Sequence, residues 1–246
     1  MKNTNRTAAN DELNLMIMSS SVHEIKNIFF RMQLNFENLA DDLKNQPESI
    51  RKMNRISMDF HAIENQLNQL LLSYKSSQNE IAMHCEDVEL NAFLKSFMER
   101  HRIPLESLGV HIEILNSEDC ESFVDEHLLQ NVLDTLVFNS ISVHAKHLKI
   151  AVQGTAKNPA LHFMDNGPGF PADFLATSQN DLHIRPHDIT QHRFGLGLYF
   201  AHQILKLMHS NTSEQTFMQF SNGNALSKTG GTITIHLPSA GWVGLV

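Results

Sequence analysis

The chain has 246 residues, 41% of them apolar, enough to bury at least one complete core and to form one or two domains. Its 19 basic against 27 acidic residues leave a formal charge of -8, which argues against nucleic acid as a partner. Cys85 and Cys120 stand far apart without CxxC spacing, so neither a disulfide framework nor a zinc site is expected, and no signal-type or membrane-length apolar run is present. The expectation is a soluble, cytoplasmic protein without a membrane segment.

Along the chain, Leu15, Met18, Val22, Ile25, Phe29, Met32, Phe36, Leu39 and Leu43 recur at alternating spacings of three and four, the seam of a coiled-coil-like helix. Asn45-Gln46-Pro47 breaks it, and Met53, Ile56, Phe60, Ile63, Leu67, Leu70 and Tyr74 resume the rhythm. Residues 1–80 therefore read as a helical hairpin. Ile17, Ile28, Phe30, Leu34, Leu71 and Leu72 lie beside the seams, and pairing two hairpins into a homodimeric four-helix bundle would bury them, the alternative being that the second domain folds back onto this face within one chain.

Ser76-Ser77-Gln78-Asn79 reads as a linker, and residues 86–246 as a second domain. There, Val88 to Arg100 reads as a strand edge followed by a helix, Val110–Ile114 as a strand, and Asp125–Val143 as a helix. Strands at 148–152 and 160–164, a helix at 196–209 and a strand at 232–237 follow, while 170–193 and 210–230 read as polar and irregular. The class is α+β, with helices on one face of a mixed sheet.

Two sets of residues carry chemistry. Asp165-Asn166-Gly167-Pro168-Gly169-Phe170 places a carboxylate ahead of glycines that admit close backbone approach, and Gly195-Leu196-Gly197-Leu198 opens a helix whose first N–H groups suit a phosphate chain. Asp165 would accept the exocyclic amine of adenine, so these turns together imply an ATP pocket; for Asp165-Asn166-Gly167 alone a hairpin turn is the favoured reading. Asn139, on the polar side of its helix, offers an amide oxygen to Mg²⁺. His23, one residue past the seam position Val22, can reach solvent as a nucleophilic imidazole, with Glu24 as general base and Asn27 on the same helical face to orient a water. His183, His187 and His192 lack a third ligand at metal spacing and are assigned no role.

These residues resemble the two-component sensor histidine kinases, whose ATP-binding fold is shared with the gyrase B subunit and the MutL repair protein. His23-Glu24-Ile25-Lys26-Asn27 is similar to the H box, Asn139 to the N-box magnesium ligand, Asp165, Gly167 and Gly169 to the first glycine box, and Gly195, Leu196, Gly197 and Leu198 to the second. The resemblance implies a dimerisation and histidine-phosphotransfer domain followed by an α/β-sandwich catalytic domain that uses ATP and Mg²⁺. It departs at Thr135, Ser142, Arg193 and Ile28, which replace an asparagine, a phosphate-contacting lysine, a glycine and a proline, and it has no phenylalanine box. Lys146 or Arg193 could supply the missing charge, although a solvated surface role is the favoured reading for either.

The expected activity is autophosphorylation of His23 from ATP and transfer to the aspartate of a response-regulator receiver domain, with phosphatase action through Asn27 and a separate sensor protein delivering the signal. The competing expectation is a non-catalytic phosphotransfer or scaffold protein with a degenerate ATP-binding domain.

Overall fold

The computed structural model describes residues 21–22, 24–25, 27–29, 31–32, 35, 48–49, 52–53, 55–57, 59–60, 62–64, 66–68, 83–115, 119–155, 157–180, 195–210 and 216–241, with the backbone alone at 177–180, 195–196 and 209–210. The chain divides into two compact units, Met1–Ala82 and Met83–Val246.

In the first unit every described residue from 21 to 68 is helical. Val22 and Met53 are buried, and the rings of Phe29 and Phe60 meet at a centroid distance of 5.3 Å, so seam positions from both halves of the pattern come together. The seam is not wholly internal: Met32, Ile56 and Ile63 join Ile28 as exposed large apolar residues. Two helices present more apolar surface than they can bury against each other.

The second unit begins with β1 (Glu86–Glu89) and α1 (Leu90–Ser107), then β2 (His111–Ile114), β3 (Glu121–Val124), α2 (Glu126–Ser142), β4 (His147–Thr155) and β5 (Asn158–Asp165). After these come α3 (Ala172–Asn180), α4 (Gly195–Ser210), β6 (Phe217–Asn222) and β7 (Gly231–His236). β1 and β3 form a two-stranded antiparallel ribbon, and the others form a five-stranded mixed sheet in the order β2-β4-β5-β7-β6. Only β2 and β4 pair in parallel; α2 provides the crossover that a parallel connection requires.

α1 carries Leu90, Phe93, Leu94, Phe97 and Leu105 on its buried stripe. It runs past the expected end at Arg100 because Pro104 falls on the exposed side and Leu105 keeps the stripe buried. Glu89 caps it, accepting from the N–H groups of Asn91 at 2.8 Å and Ala92 at 2.6 Å. Asp125 caps α2 through the N–H of Leu128 and also accepts from the N–H of His84, tying the start of the unit to this helix.

Register sorts the sheet into two unlike faces. Leu148, Ile150 and Val152 stand opposite Asp165, Phe163 and Leu161, and the row continues through Ile233 and Ile235 to Phe220 and Met218. These side chains are buried; α1 packs on β2 and β4, α3 and α4 on β6, and α2 on α4. The other face carries His111, His147, Lys149, His162, Gln219 and His236. On it His162 Nδ1 lies 3.2 Å from the Thr234 hydroxyl, His236 Nε2 lies 3.0 Å from Gln219 Oε1, and His236 stacks on Phe217 at 4.3 Å.

Three elements lie where the sequence reading placed none. β3 falls between the expected strand at 110–114 and the helix at 125–143. α3 occupies the first part of the segment read as irregular, because Pro171 opens a helix and Phe174 anchors it in an aromatic cluster with Phe170 and Phe220 at 5.1–5.6 Å. β6 occupies part of 210–230: Met218 and Phe220 alternate inward, although the run is short and followed by polar turn residues.

Burial holds the His162 imidazole below its ordinary value of 6.5, with the nearby charge of His236 adding to the effect, and burial likewise lowers His236. Both groups therefore take up protons more readily in the unfolded chain, so their neutral-state stability is complete above about pH 6.5 and lost as pH falls below it. The melting temperature should drop between pH 7.5 and 5.5, and His162→Gln should flatten that dependence. Glu89→Ala should lower stability by about 1 kcal/mol in urea titrations by uncapping α1.

Candidate functional site

The strand alternation that aims Leu161 and Phe163 inward also aims Asp165, so β5 ends by delivering a carboxylate to the helix-covered side of the sheet. Buried to 9% exposure, it needs donors in place of water. Asp165 Oδ1 accepts from the N–H of Gly167 at 2.7 Å and of Gly231 at 3.4 Å, and Oδ2 lies 3.3 Å from the Ser140 hydroxyl, which donates to it. The Asp165-Asn166-Gly167 tripeptide does not form a hairpin turn, since β5 pairs with β4 and β7. Asn166 instead accepts from the N–H groups of Lys146 at 2.8 Å and His147 at 2.9 Å, fixing the start of β4.

The glycine loop is clamped by the β6–β7 connection, which the sequence reading did not connect to the site. Asn222 bonds both backbone polar groups of Phe170, accepting from its N–H and donating to its carbonyl, each at 2.7 Å. Asn224 Nδ2 donates to the carbonyls of Asp165 at 2.9 Å and Gly231 at 2.8 Å. Gly169, at φ +75°, lies so close that a Cβ there would stand 2.1 Å from the Thr229 carbonyl, and one at Gly230 would stand 2.0 Å from that of Asp165. Amides that bond the backbone of distant segments leave no periodicity or spacing signal; the cluster of Asn and Gly around 222–231 was their only trace.

Leu136, Asn139, Ser140, Val143, Asp165, Gly169, Phe170, Leu198, Gly231 and Ile233 line a partly open cavity of about 30 Å³. Asn139, Asp165, Gly169 and Leu198, read from sequence as one site, thus share its walls. Gly167 adjoins it through Asp165. Gly195 and Leu196 begin the backbone of α4, and Gly197 faces α2, where a Cβ would approach Thr135 Cγ2 at 3.0 Å and Asn139 Oδ1 at 3.4 Å. Thr135, in place of an asparagine, is therefore a packing residue against α4, its hydroxyl donating to the Asn131 carbonyl at 2.7 Å. Asn139 Nδ2 is buried without a hydrogen-bond partner, so this amide borders the cavity with unspent polar capacity.

Among the described residues no Lys or Arg lines the cavity, and Lys146 is exposed, in keeping with the surface role favoured for it. Ser142 donates to the carbonyl of Asn139 at 2.7 Å, and Lys146 Nζ to that of Leu108 at 3.3 Å. Arg193 and the histidines at 183, 187 and 192 lie outside the described residues, as does His23. Glu24 and Asn27 are exposed on the helix of the first unit. Cys85 and Cys120 are free thiols. No helix among the described residues is long and apolar enough to cross a membrane, and no group of three or more metal-ligating side chains occurs among them.

Residues 124–241 match the family described as histidine kinase-, DNA gyrase B-, and HSP90-like ATPase. Over 128 residues the chain is 29% identical to the sensor protein kinase PilS of Pseudomonas aeruginosa, a match that covers 48% of this chain and 23% of that protein. The fold is similar to that of the Acinetobacter baumannii histidine kinase AdeS, with a TM-score of 0.54 at 19% identity over 76% of this chain and 83% of that one. Residues 124–241 therefore carry a domain of the histidine kinase-, DNA gyrase B-, and HSP90-like ATPase family, and the chain is similar in sequence to a sensor kinase and in fold to a histidine kinase.

Proposed function

We propose that the chain is an ATP-dependent histidine protein kinase whose second unit binds ATP and whose first unit carries the phosphorylated residue, His23. The observation that carries this reading is the buried Asp165 carboxylate, braced on Oδ1 and facing the cavity beside Asn139 and α4. A braced carboxylate accepts the exocyclic amine of adenine, and the first N–H groups of α4 suit the phosphate chain.

Asn139 lines the cavity, and the chemistry of its side-chain amide fits a magnesium site: its oxygen would be one ligand, the ion's remaining positions going to phosphate oxygens and water. Bound there, magnesium would neutralise charge on the phosphates. In the transfer itself, a neutral His23 ring nitrogen attacks the γ-phosphorus, an N–P bond forms, and the bond to the departing ADP oxygen breaks. The proton on the other ring nitrogen passes to Glu24. A receiver-domain aspartate then takes the phosphoryl group, and Asn27 orients water when the phosphorylated receiver is hydrolysed. Exposed Ile28, Met32, Ile56 and Ile63 support pairing of two chains into a four-helix bundle. The signal would come from a separate sensor protein, and the setting is the cytoplasm.

One observation favours a second reading. With Ser142 and Lys146 bonded to backbone carbonyls, no Lys or Arg among the described residues lines the cavity, as a scaffold with weakened ATP use would allow. Calorimetric titration with a non-hydrolysable ATP analogue separates the two: heat of binding supports the kinase, and its absence the scaffold.

With γ-labelled ATP, His23→Gln should abolish acid-labile labelling while leaving nucleotide binding intact; label persisting in that variant would refute the acceptor assignment. Asp165→Asn puts an amide where Oδ1 now accepts N–H groups or where Oδ2 faces the cavity. Nucleotide affinity should fall at least tenfold in calorimetry with little loss of helicity.

A further inference from the structure

We propose that Ser140 is a base-reading residue: its hydroxyl donates to N1 of adenine while Asp165 Oδ2 accepts from the 6-amino group. The inference rests on the nucleotide reading above and extends it to a residue outside both glycine turns.

Ser140 lies on α2, one residue beyond Asn139, and is buried at 4% exposure in the wall of the cavity. The other hydroxyls on this helix behave differently. Those of Thr135 and Ser142 each donate at 2.7 Å to carbonyls of their own helix, the ordinary outlet for a helical Ser or Thr. The Ser140 hydroxyl reaches across to Asp165 Oδ2 instead.

That bond spans 3.3 Å, long for an O–H···O contact, where about 2.7–2.8 Å is usual. The hydroxyl is thus held beside the carboxylate and can turn to a better acceptor at little cost. Asp165 Oδ1 already takes two backbone N–H groups, so the oxygen left to meet a ligand is Oδ2, next to Ser140. An acceptor and a rotatable donor side by side in one cavity match an edge that offers a donor and an acceptor side by side. The 6-amino group and N1 of adenine form such an edge. Hydrogen bonds also balance: when the hydroxyl leaves Oδ2, the amine N–H replaces it.

The test measures affinities of the full chain for ATP and for 1-deaza-ATP, in which N1 is a C–H. Wild type should bind the analogue about two- to tenfold more weakly, the worth of one hydrogen bond. Ser140→Ala should bind ATP more weakly by a similar factor and no longer tell the two apart, at a melting temperature close to wild type. Equal wild-type affinity for both nucleotides overturns the proposal, and needs no variant. So does a Ser140→Ala chain that keeps the wild-type ratio. Wild type that binds ATP with either of those results leaves the nucleotide reading standing, whereas wild type that binds neither nucleotide removes both.

Discussion

A carboxylate placed at the end of an otherwise apolar strand face must find donors inside the protein, and the geometry of the second unit is organised around that need. Asp165 draws its partners from its own loop, from β7 and from α2. These segments are far apart in sequence, so the carboxylate is satisfied only when strand, helix and loop are all in place. The Asn224 amide, bonded to the carbonyls of Asp165 and Gly231, closes the same circle from the backbone side. Polar satisfaction and the shape of the cavity are therefore one problem with one solution.

Glycine placement follows from this closeness. Where the β6–β7 connection passes the glycine loop, carbonyl oxygens occupy the volume that a Cβ at Gly169 or Gly230 would require. The approach of α4 to α2 is likewise close at Gly197, where a Cβ would stand 3.0 Å from Thr135 Cγ2. The glycines that suggested phosphate contact in the sequence thus also serve packing between segments.

What could be read from sequence was whatever depends on periodicity or on short-range spacing. The helix opened by Asp125, the long strands around residues 150 and 162, and the two glycine turns all have that character, and the α+β class followed from their order. The family model matching residues 124–241 agrees with the resemblance carried by those turns. Short elements were illegible because their cause is tertiary. β3 and β6 exist by pairing with β1 and β7, and α3 by the packing of Phe174 on Phe170 and Phe220. The roles of Asn222, Asn224 and Ser140 were hidden for the same reason, since each bonds a residue more than twenty positions away. In the first unit the heptad-like pattern specified helices but not which seam residues face each other, and Met32, Ile56 and Ile63 lie outward in the single chain.

The cavity beneath Asp165 holds about 30 Å³, space for one or two water molecules. The cavity is partly open to solvent, so a guest larger than that can lie across its mouth. Asn222 fastens the Phe170 backbone at both polar groups, which makes that wall expensive to displace.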